Sequence, residues 1–350
     1  AREFCIQMLH TAFPKQFVKQ TYGADEASLV SMRILLRLSY VNAFFDAYKA
    51  FYLFLRNLNV CETRLGPSSE LAHAHAVGPI FWMAFSWFSR GERDSQKAIE
   101  MAQRLDNKVV EGFAYTHRSI ERYVAGNFKQ GLEDAKRGVG IIKRVGEYFE
   151  LAIGCTFLRH NSWCLGRFKE SQAETAEFDE LMANISSSMA LGWALASNLR
   201  THSYIGDIDD GAMADILKAV DLARLSRDKP NTVNFTRFLA LAWSQRKNHA
   251  EAVREIENAA TLFKTLFNKG TWILDMWANG AQIYLDALAD GDDLSPKQRR
   301  HYMRRLRWFV WQARKWSALF PFFRGWVWQV WGSYNWLRGR KRRADTWAST

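Results

Sequence analysis

The chain has 350 residues, 48% of them hydrophobic and 24% charged, and a formal net charge of +12. That hydrophobic content excludes a disordered chain, and the longest nearly unbroken apolar run, Gly78 to Phe88, is 11 residues with a serine inside it, too short to span a bilayer. Six prolines and the lack of a Ser/Pro-rich linker favour one elongated array over two or three compact domains.

The charge is uneven. From Lys297 to Thr350 there are 14 Lys and Arg against one acid, Asp345, while the rest of the chain holds 34 basic and 35 acidic groups. Cys5, Cys61, Cys155 and Cys164 share no CxxC spacing, and the last two fall on one predicted helix about 13 Å apart, too far to bridge. Scattered thiols of this kind point to a reducing compartment, so the expected location is cytoplasmic. The chain opens Ala1-Arg-Glu-Phe-Cys, with no starting Met and no secretory pattern, which suggests a beginning inside a longer polypeptide.

In chain order, residues 1–28 read as a lead-in helix around Phe4, Ile6, Met8 and Leu9, stopped by Pro14, with Asp25 as a cap for the next helix. Leu29, Met32, Leu35 and Leu36 fall at helical spacing and predict a helix to Ala43, and Asp46 to Arg64 predicts its partner. Gly66-Pro-Ser-Ser69 ends that pair and caps the helix after it. A second pair runs Glu70–Ser89 and Asp94–Leu105, with its turn at Arg90-Gly91 and a kink expected at Pro79. Further pairs are expected over Lys108–Val145, Glu147–Asn184, Ser188–Ser226 (turn at Gly206-Asp207) and Asn231–Phe267 (turn at Arg246-Lys247-Asn248). A seventh starts near Thr271, has a swollen turn at Asp290–Pro296 and continues as a long basic helix capped by Ser295; an eighth has Trp326 to Arg338 and then Gly339.

Within that series one sentence is written twice. Tyr123-Val-Ala-Gly126-Asn-Phe128 and Trp163-Cys-Leu-Gly166-Arg-Phe168 are 40 residues apart, each followed by a polar helix. Such self-similarity marks a stacked array in which no unit can bury its apolar face alone. The glycine recurs because a short turn between antiparallel helices needs one residue at positive φ. The aromatic ahead of each turn is expected to be Phe88, Tyr123, Trp163, Tyr204, Trp243, Tyr284 and Trp336; four residues earlier stand Ala84, Ser119, Arg159, Arg200, Leu239, Gly280 and Gly332, four of which are small.

The aromatic-and-small first helix, the turn glycine and a small residue entering the second helix (Ala98, Gly131, Ser171, Gly211, Ala252) resemble the tetratricopeptide repeat, in a version longer than that family's roughly 34 residues. Leu65-Gly-Pro-Ser-Ser-Glu-Leu-Ala72, Leu319-Phe-Pro321 and Trp336-Leu-Arg-Gly339 look like the C-terminal helical repeats of large signalling ATPases. In those proteins an AAA-type NTPase module, often joined to a protein-kinase or nucleotide-cyclase domain, precedes the repeats. The expected architecture is an all-α, right-handed α-solenoid of about seven to eight long helix-turn-helix units. Residues 29–290 form the array, and 291–350 form basic, Trp-rich terminal repeats cut in mid-helix.

Catalytic signatures are missing from the sequence: there is no GxxxxGK[ST], GxSxG or HExxH. His73 and His75 are two apart and splay around a helix, which argues against a shared metal. No cofactor or metal is expected, and the segment is not read as an enzyme. Arg159 and Arg200 occupy a slot that is small elsewhere. First helices line the concave surface in tetratricopeptide arrays, so the resemblance implies a solvent-facing ladder of Arg159, Arg200 and Arg118 or Arg237 clamping an acidic peptide or a phosphate. On that view the arginines are dispensable for folding; the bland alternative is that each pairs with a local acid. The groove would be lined by Phe81, Phe85, Tyr123, Arg159, Trp163, Arg200 and Arg237.

Residues 297–343 mix 14 basic residues with Trp308, Trp311, Trp316, Trp326, Trp328, Trp331 and Trp336. A membrane interface, nucleic acid and plain array core with a solvated cationic flank all fit that composition. The near-regular placing of Trp326 to Trp336 favours core and makes nucleic acid the weakest of the three. The functional expectation is a non-catalytic scaffold binding a protein or peptide partner within a larger signalling protein. Its rivals are a ligand-sensing repeat domain and an anionic-surface contact through the basic end.

Overall fold

The computed structural model describes the backbone of residues 2–23, 25–184, 188–206, 208–266 and 273–340, and within them every side chain except those at 44, 45, 175, 177–179, 181–184, 190 and 198–205. Among the described residues there is no strand. After a lead-in of α1 (Arg2–Ala12) and α2 (Pro14–Phe17), the helices come in pairs: α3 (Glu26–Phe45) with α4 (Ala47–Val60), α5 (Ser69–Trp82) with α6 (Phe88–Arg104), α7 (Lys108–Val124) with α8 (Phe128–Val145), and α9 (Tyr148–Cys164) with α10 (Phe168–Asn184). Next come α11 (Ser188–Ile205) with α12 (Asp210–Leu225), α13 (Lys229–Gln245) with α14 (His249–Thr265), α15 (Met276–Ala289) with α16 (Pro296–Ser317), and finally α17 (Arg324–Leu337).

A backbone rhythm finer than the expected one sets these lengths. Gly66, Ser86, Asp106, Gly126, Gly146 and Gly166 all have positive φ, as do Gly206, Arg227 and Lys247, so from Gly66 to Gly166 and from Gly206 to Lys247 the chain turns about every 20 residues, whereas Asp46 between α3 and α4 turns it at φ −145°. The closing hydrogen bonds repeat as well: Asn127 N to Arg122 O at 2.8 Å, Arg167 N to Ser162 O at 2.9 Å and Asn248 N to Trp243 O at 2.9 Å, each a six-to-one bond that satisfies a helix's last carbonyls.

The second pair corrects the expected boundary. Arg90 and Gly91 are not its turn: Met83–Phe85 form a 3-10 turn, Ser86 takes φ +58°, and Gly91 lies inside α6. Gly91 is there for close packing, since a Cβ would overlap the Glu121 carboxyl of α7. The aromatic that closes this first helix is therefore Trp82, fully buried, and not Phe88. Pro79 sits inside α5, which continues to Trp82 before tightening.

The chain divides into two compact units, one of residues Ala1–Tyr123 with Asn127–Thr175, the other of Val124–Gly126 with Ala176–Thr350. In the first, Phe54, Leu58, Leu65, Val77 and Trp82 form a core between α4 and α5. The lead-in helix is held on α4 by polar contacts: Asn59 donates to the Glu3 carbonyl at 2.9 Å and Gln7 to Glu62 at 3.2 Å. In the second, Ile216, Ala219, Phe235, Phe238 and Ala242 join α12 to α13, and Phe309 of α16 lies over Gly280 of α15.

Two glycines separate the backbone and packing roles. Gly140 in α8 has nothing within 4 Å of a Cβ position, whereas a Cβ on Gly280 would overlap the Phe309 ring. Gly140→Ala is expected to raise unfolding free energy by about 0.5–1 kcal/mol, and Gly280→Ala to lower it by about 1–3 kcal/mol through overpacking. Denaturant unfolding measures both, and the reverse order would break the packing assignment.

Candidate partner-binding surfaces

The arginine ladder is enclosed where the sequence reading expected it to face solvent. Arg159 and Arg237 are each 1% exposed and Arg118 is 6% exposed; the Arg200 side chain lies outside the described residues. Arg118 makes a bidentate contact with Asp134 of α8, Nε at 2.7 Å and a terminal nitrogen at 2.9 Å, and Arg122 bridges Asp134 at 2.7 Å and Glu92 at 3.1 Å. Arg237 pairs with Asp275 at 2.7 Å and donates to Asn234 at 2.8 Å and Asn279 at 2.6 Å. Arg118 and Arg237 lie beside the slot residues Ser119 and Leu239, and each runs through the packed interior to a carboxylate beyond its own helix. The expectation of a solvent-facing ladder is corrected for Arg118, Arg159 and Arg237, which are buried.

The aromatic members of the expected groove divide the same way. Tyr123 and Trp163 are buried, Tyr123 against Phe157 at 5.7 Å and Trp163 against His160 at 4.9 Å, and Phe81 stacks on Phe54 at 4.5 Å. Phe85 is 50% exposed and Trp87 40%, beside half-buried Phe51, whose ring lies 5.0 Å from Phe85. Of the expected groove residues with described side chains, Phe85 is the one open to solvent.

Sequence reasoning missed a polar interior in the first unit. Glu62 takes His10 Nδ1 at 2.7 Å, and His75 lies between Glu62 at 3.9 Å and Asp94 at 3.4 Å. Trp82 Nε1 donates to Asp94 at 2.6 Å. Burial alone would raise the Asp94 carboxyl; His75, Arg90 and Trp82 outweigh it and hold the group at about 2. A second cluster joins four helices: the Tyr40 hydroxyl donates to Glu150, His117 Nε2 lies 3.4 Å from Glu150, and His117 Nδ1 lies 2.9 Å from the Ala76 carbonyl. His73 packs edge-on against Phe113 at 4.9 Å, and burial, then the neighbouring His117, push it down to about 4. His73 and His75 thus serve different clusters, as their spacing predicts. The signal for the second cluster was the recurrence of His73, His117 and Glu150 on the first helices α5, α7 and α9.

The basic end has an open surface. Trp308 packs edge-on against Trp277 at 5.2 Å, and Arg305 pairs with Glu257 at 2.6 Å. Trp311, Trp328 and Trp336 are 58%, 42% and 58% exposed, so the tryptophans are neither all core nor all surface. Lys315 sits 5.7 Å from the Trp311 ring and 5.6 Å from Trp316, and Arg314 5.0 Å from Trp331. Between Lys297 and Arg340 there are 11 Lys and Arg and no acid. Among the described residues the one carboxylate pair these cations make is Arg305 with Glu257.

Two substitutions test the polar interior. Asp275→Ala leaves the Arg237 guanidinium without its buried carboxylate and is expected to cost about 3–5 kcal/mol, most of it regained when Arg237→Met is added. A cost under about 1 kcal/mol would mean that the pair does not hold α13 to α15. Glu121 is 1% exposed, and neither carboxyl oxygen has a hydrogen-bond partner among the described residues. Burial, with Glu92 and Asp94 nearby, pushes it from 4.5 up to about 9. The folded state therefore keeps a proton that the unfolded chain gives up, and stability falls as pH rises from about 4.5 to 9. Glu121→Gln removes this titration, so its advantage over the parent should grow across that range in pH-dependent unfolding. A constant difference would mean that Glu121 ionises normally.

No protein-family model matches the chain, and no curated protein matches it in sequence. Among solved structures it is similar to a signal transduction ATPase with numerous domains (STAND) that carries a tetratricopeptide repeat sensor, from Pyrococcus horikoshii, with TM-score 0.54 and 12% identity over 91% of this chain. The match spans 46% of that protein, so the chain covers about half of its length. It is also similar to a Rap protein complexed with Competence and Sporulation Factor, with TM-score 0.59 and 10% identity over 99% of this chain and 93% of the other. The chain is an all-α, tetratricopeptide-like helical-repeat array resembling the repeat region of signalling ATPases.

Proposed function

We propose that the chain is a non-catalytic scaffold that engages an acidic protein or peptide partner through the cationic tryptophan face of α16 and α17. The carrying observation is charge without compensation: 11 Lys and Arg between Lys297 and Arg340 with no acid among them, and Arg307, Trp311, Arg314 and Lys315 exposed on successive turns of α16. Tryptophan and arginine supply most hot-spot energy at protein interfaces, and a one-signed patch speeds the encounter with an oppositely charged partner. The similar structures, one containing a repeat sensor and one complexed with a factor, support an interaction or sensing role in general. No helix among the described residues is long and apolar enough to cross a membrane. A cytoplasmic setting belongs to the proposal and is supported by four free cysteines, two of them buried.

The test is fluorescence anisotropy of a labelled peptide that carries several Asp and Glu around one apolar residue. Arg307→Glu with Lys315→Glu should weaken binding at least tenfold, about 1.4 kcal/mol, with the loss shrinking at high salt. Trp311→Ala should cost about 2 kcal/mol of binding. All three side chains are exposed, so folding should change by less than about 0.5 kcal/mol. Tighter binding of duplex DNA or of anionic vesicles than of the peptide would overturn the reading. A peptide that binds these variants normally and loses affinity on Phe85→Ala would move the site to the first unit.

A further inference from the structure

The turn between α12 and α13 contains an anomaly. Arg227 holds φ +56°, a conformation that costs a side-chain-bearing residue free energy and that glycine adopts without penalty; Gly146 occupies the corresponding turn between α8 and α9 at φ +79°. Two other non-glycine residues at positive φ make ion pairs: Lys247 with Asp290 at 2.7 Å and Asp106 with Lys108 at 3.6 Å. Among the described residues Arg227 has no ion pair or side-chain hydrogen bond, and neither has Lys229 two residues on. Strain kept at a position that glycine would fill points to a side chain with work elsewhere.

Both cations open onto one cavity of the second unit. It has a volume of about 290 Å³ and is lined by Arg224, Arg227 and Lys229 with Thr232 on one side and by Leu262 and Leu266 of the α14 end on the other. Arg224 has a carboxylate 3.4 Å away, Asp221, with both side chains exposed. Asp228, the acid nearest in sequence, is turned away: it caps α13 through Asn231 N at 3.2 Å and accepts from Trp193 at 3.3 Å. The cavity thus presents three cations and two leucines, at the small end of the roughly 300–1,000 Å³ typical of ligand pockets.

We propose that this cavity binds a small organic phosphate monoester, its phosphate held by Arg227, Lys229 and Arg224 and its apolar body lying on Leu262 and Leu266. Arg227 supplies the planar donor pair that matches phosphate oxygens, and Lys229 a point charge. The Thr232 hydroxyl already donates to the Asp228 carbonyl at 2.9 Å, so it closes the wall without adding a donor. The phosphate reaches the site either on a soluble molecule or on a lipid headgroup, and the leucines suit both.

The experiment uses the full chain and titrates inorganic phosphate and phenyl phosphate by calorimetry, with sedimentation of phosphatidic-acid vesicles as a second arm. Phenyl phosphate should bind at one site per chain, more tightly than inorganic phosphate. Arg227→Gly and Lys229→Ala should each weaken it at least tenfold. Because glycine accepts the turn's φ, Arg227→Gly should leave Tm unchanged or raise it, which separates loss of binding from loss of fold. Vesicle capture that Arg227→Gly abolishes, without binding of phenyl phosphate, assigns the phosphate to a lipid. No binding in either arm, or binding that both variants leave unchanged, overturns the proposal. The α16 and α17 face is intact in these variants, so such a failure leaves the acidic-partner reading standing.

Discussion

A residue in the left-handed region about every 20 positions is the constraint on which the rest of the chain depends. From α6 to α13 the helices run 16 to 18 residues, some 26 Å, and the turn reverses the chain so that the next helix lies against the last. At that length a helix offers one apolar stripe and cannot bury it alone, so neighbours must cover it. Trp82, Tyr123 and Trp163, just inside their turns, are therefore buried. Phe85 and Trp87, just outside theirs, are left open to solvent.

Part of this rhythm was legible in the residues. Gly126, Gly166 and Gly206 announce their turns because glycine is the usual occupant of positive φ. Ser86, Asp106, Arg227 and Lys247 take the same conformation without being glycine, since local geometry imposed by two packed helices overrides the preference of the residue; Arg246-Lys247-Asn248 still marked its turn, whereas Ser86 was silent. That silence is why the second turn was misplaced: Gly91 looked like a turn glycine and is a packing glycine, while the true turn carries a serine. With Trp82 in register, the spacing of the turn aromatics becomes regular to within a residue or two through Tyr284.

The candidate surfaces were legible in composition and not in orientation. The concentration of Arg and Trp after Lys297 is plain in the sequence, but periodicity cannot say which tryptophans pack on Trp277 and which stand in solvent. Arg159, Arg118 and Arg237 face the interior and not solvent. Burying a guanidinium is expensive unless a carboxylate meets it, and the carboxylates in question, Asp134 for Arg118 and Asp275 for Arg237, lie 16 and 38 residues further on. Only the fold joins them.

The placement of charge follows from the problem that every repeat array faces. Its units present nearly the same apolar face, so apolar contacts alone would tolerate a helix docked on the wrong neighbour. The buried polar groups are not interchangeable in this way: Glu62 with His10 and His75, Glu150 with Tyr40 and His117, Asp134 with Arg118 and Asp275 with Arg237 each require one particular partner helix. A shift by one unit would strand every one of these charges away from water, at a cost larger than the apolar contacts could offset. Interior charges committed to register are matched pair by pair and leave little over for a ligand. The cations of α16 are different in kind, because among the described residues one carboxylate pair serves the whole stretch. An unmatched surplus on a repeat surface has no use in folding, and that is the physical ground for the proposal that an acidic partner binds there.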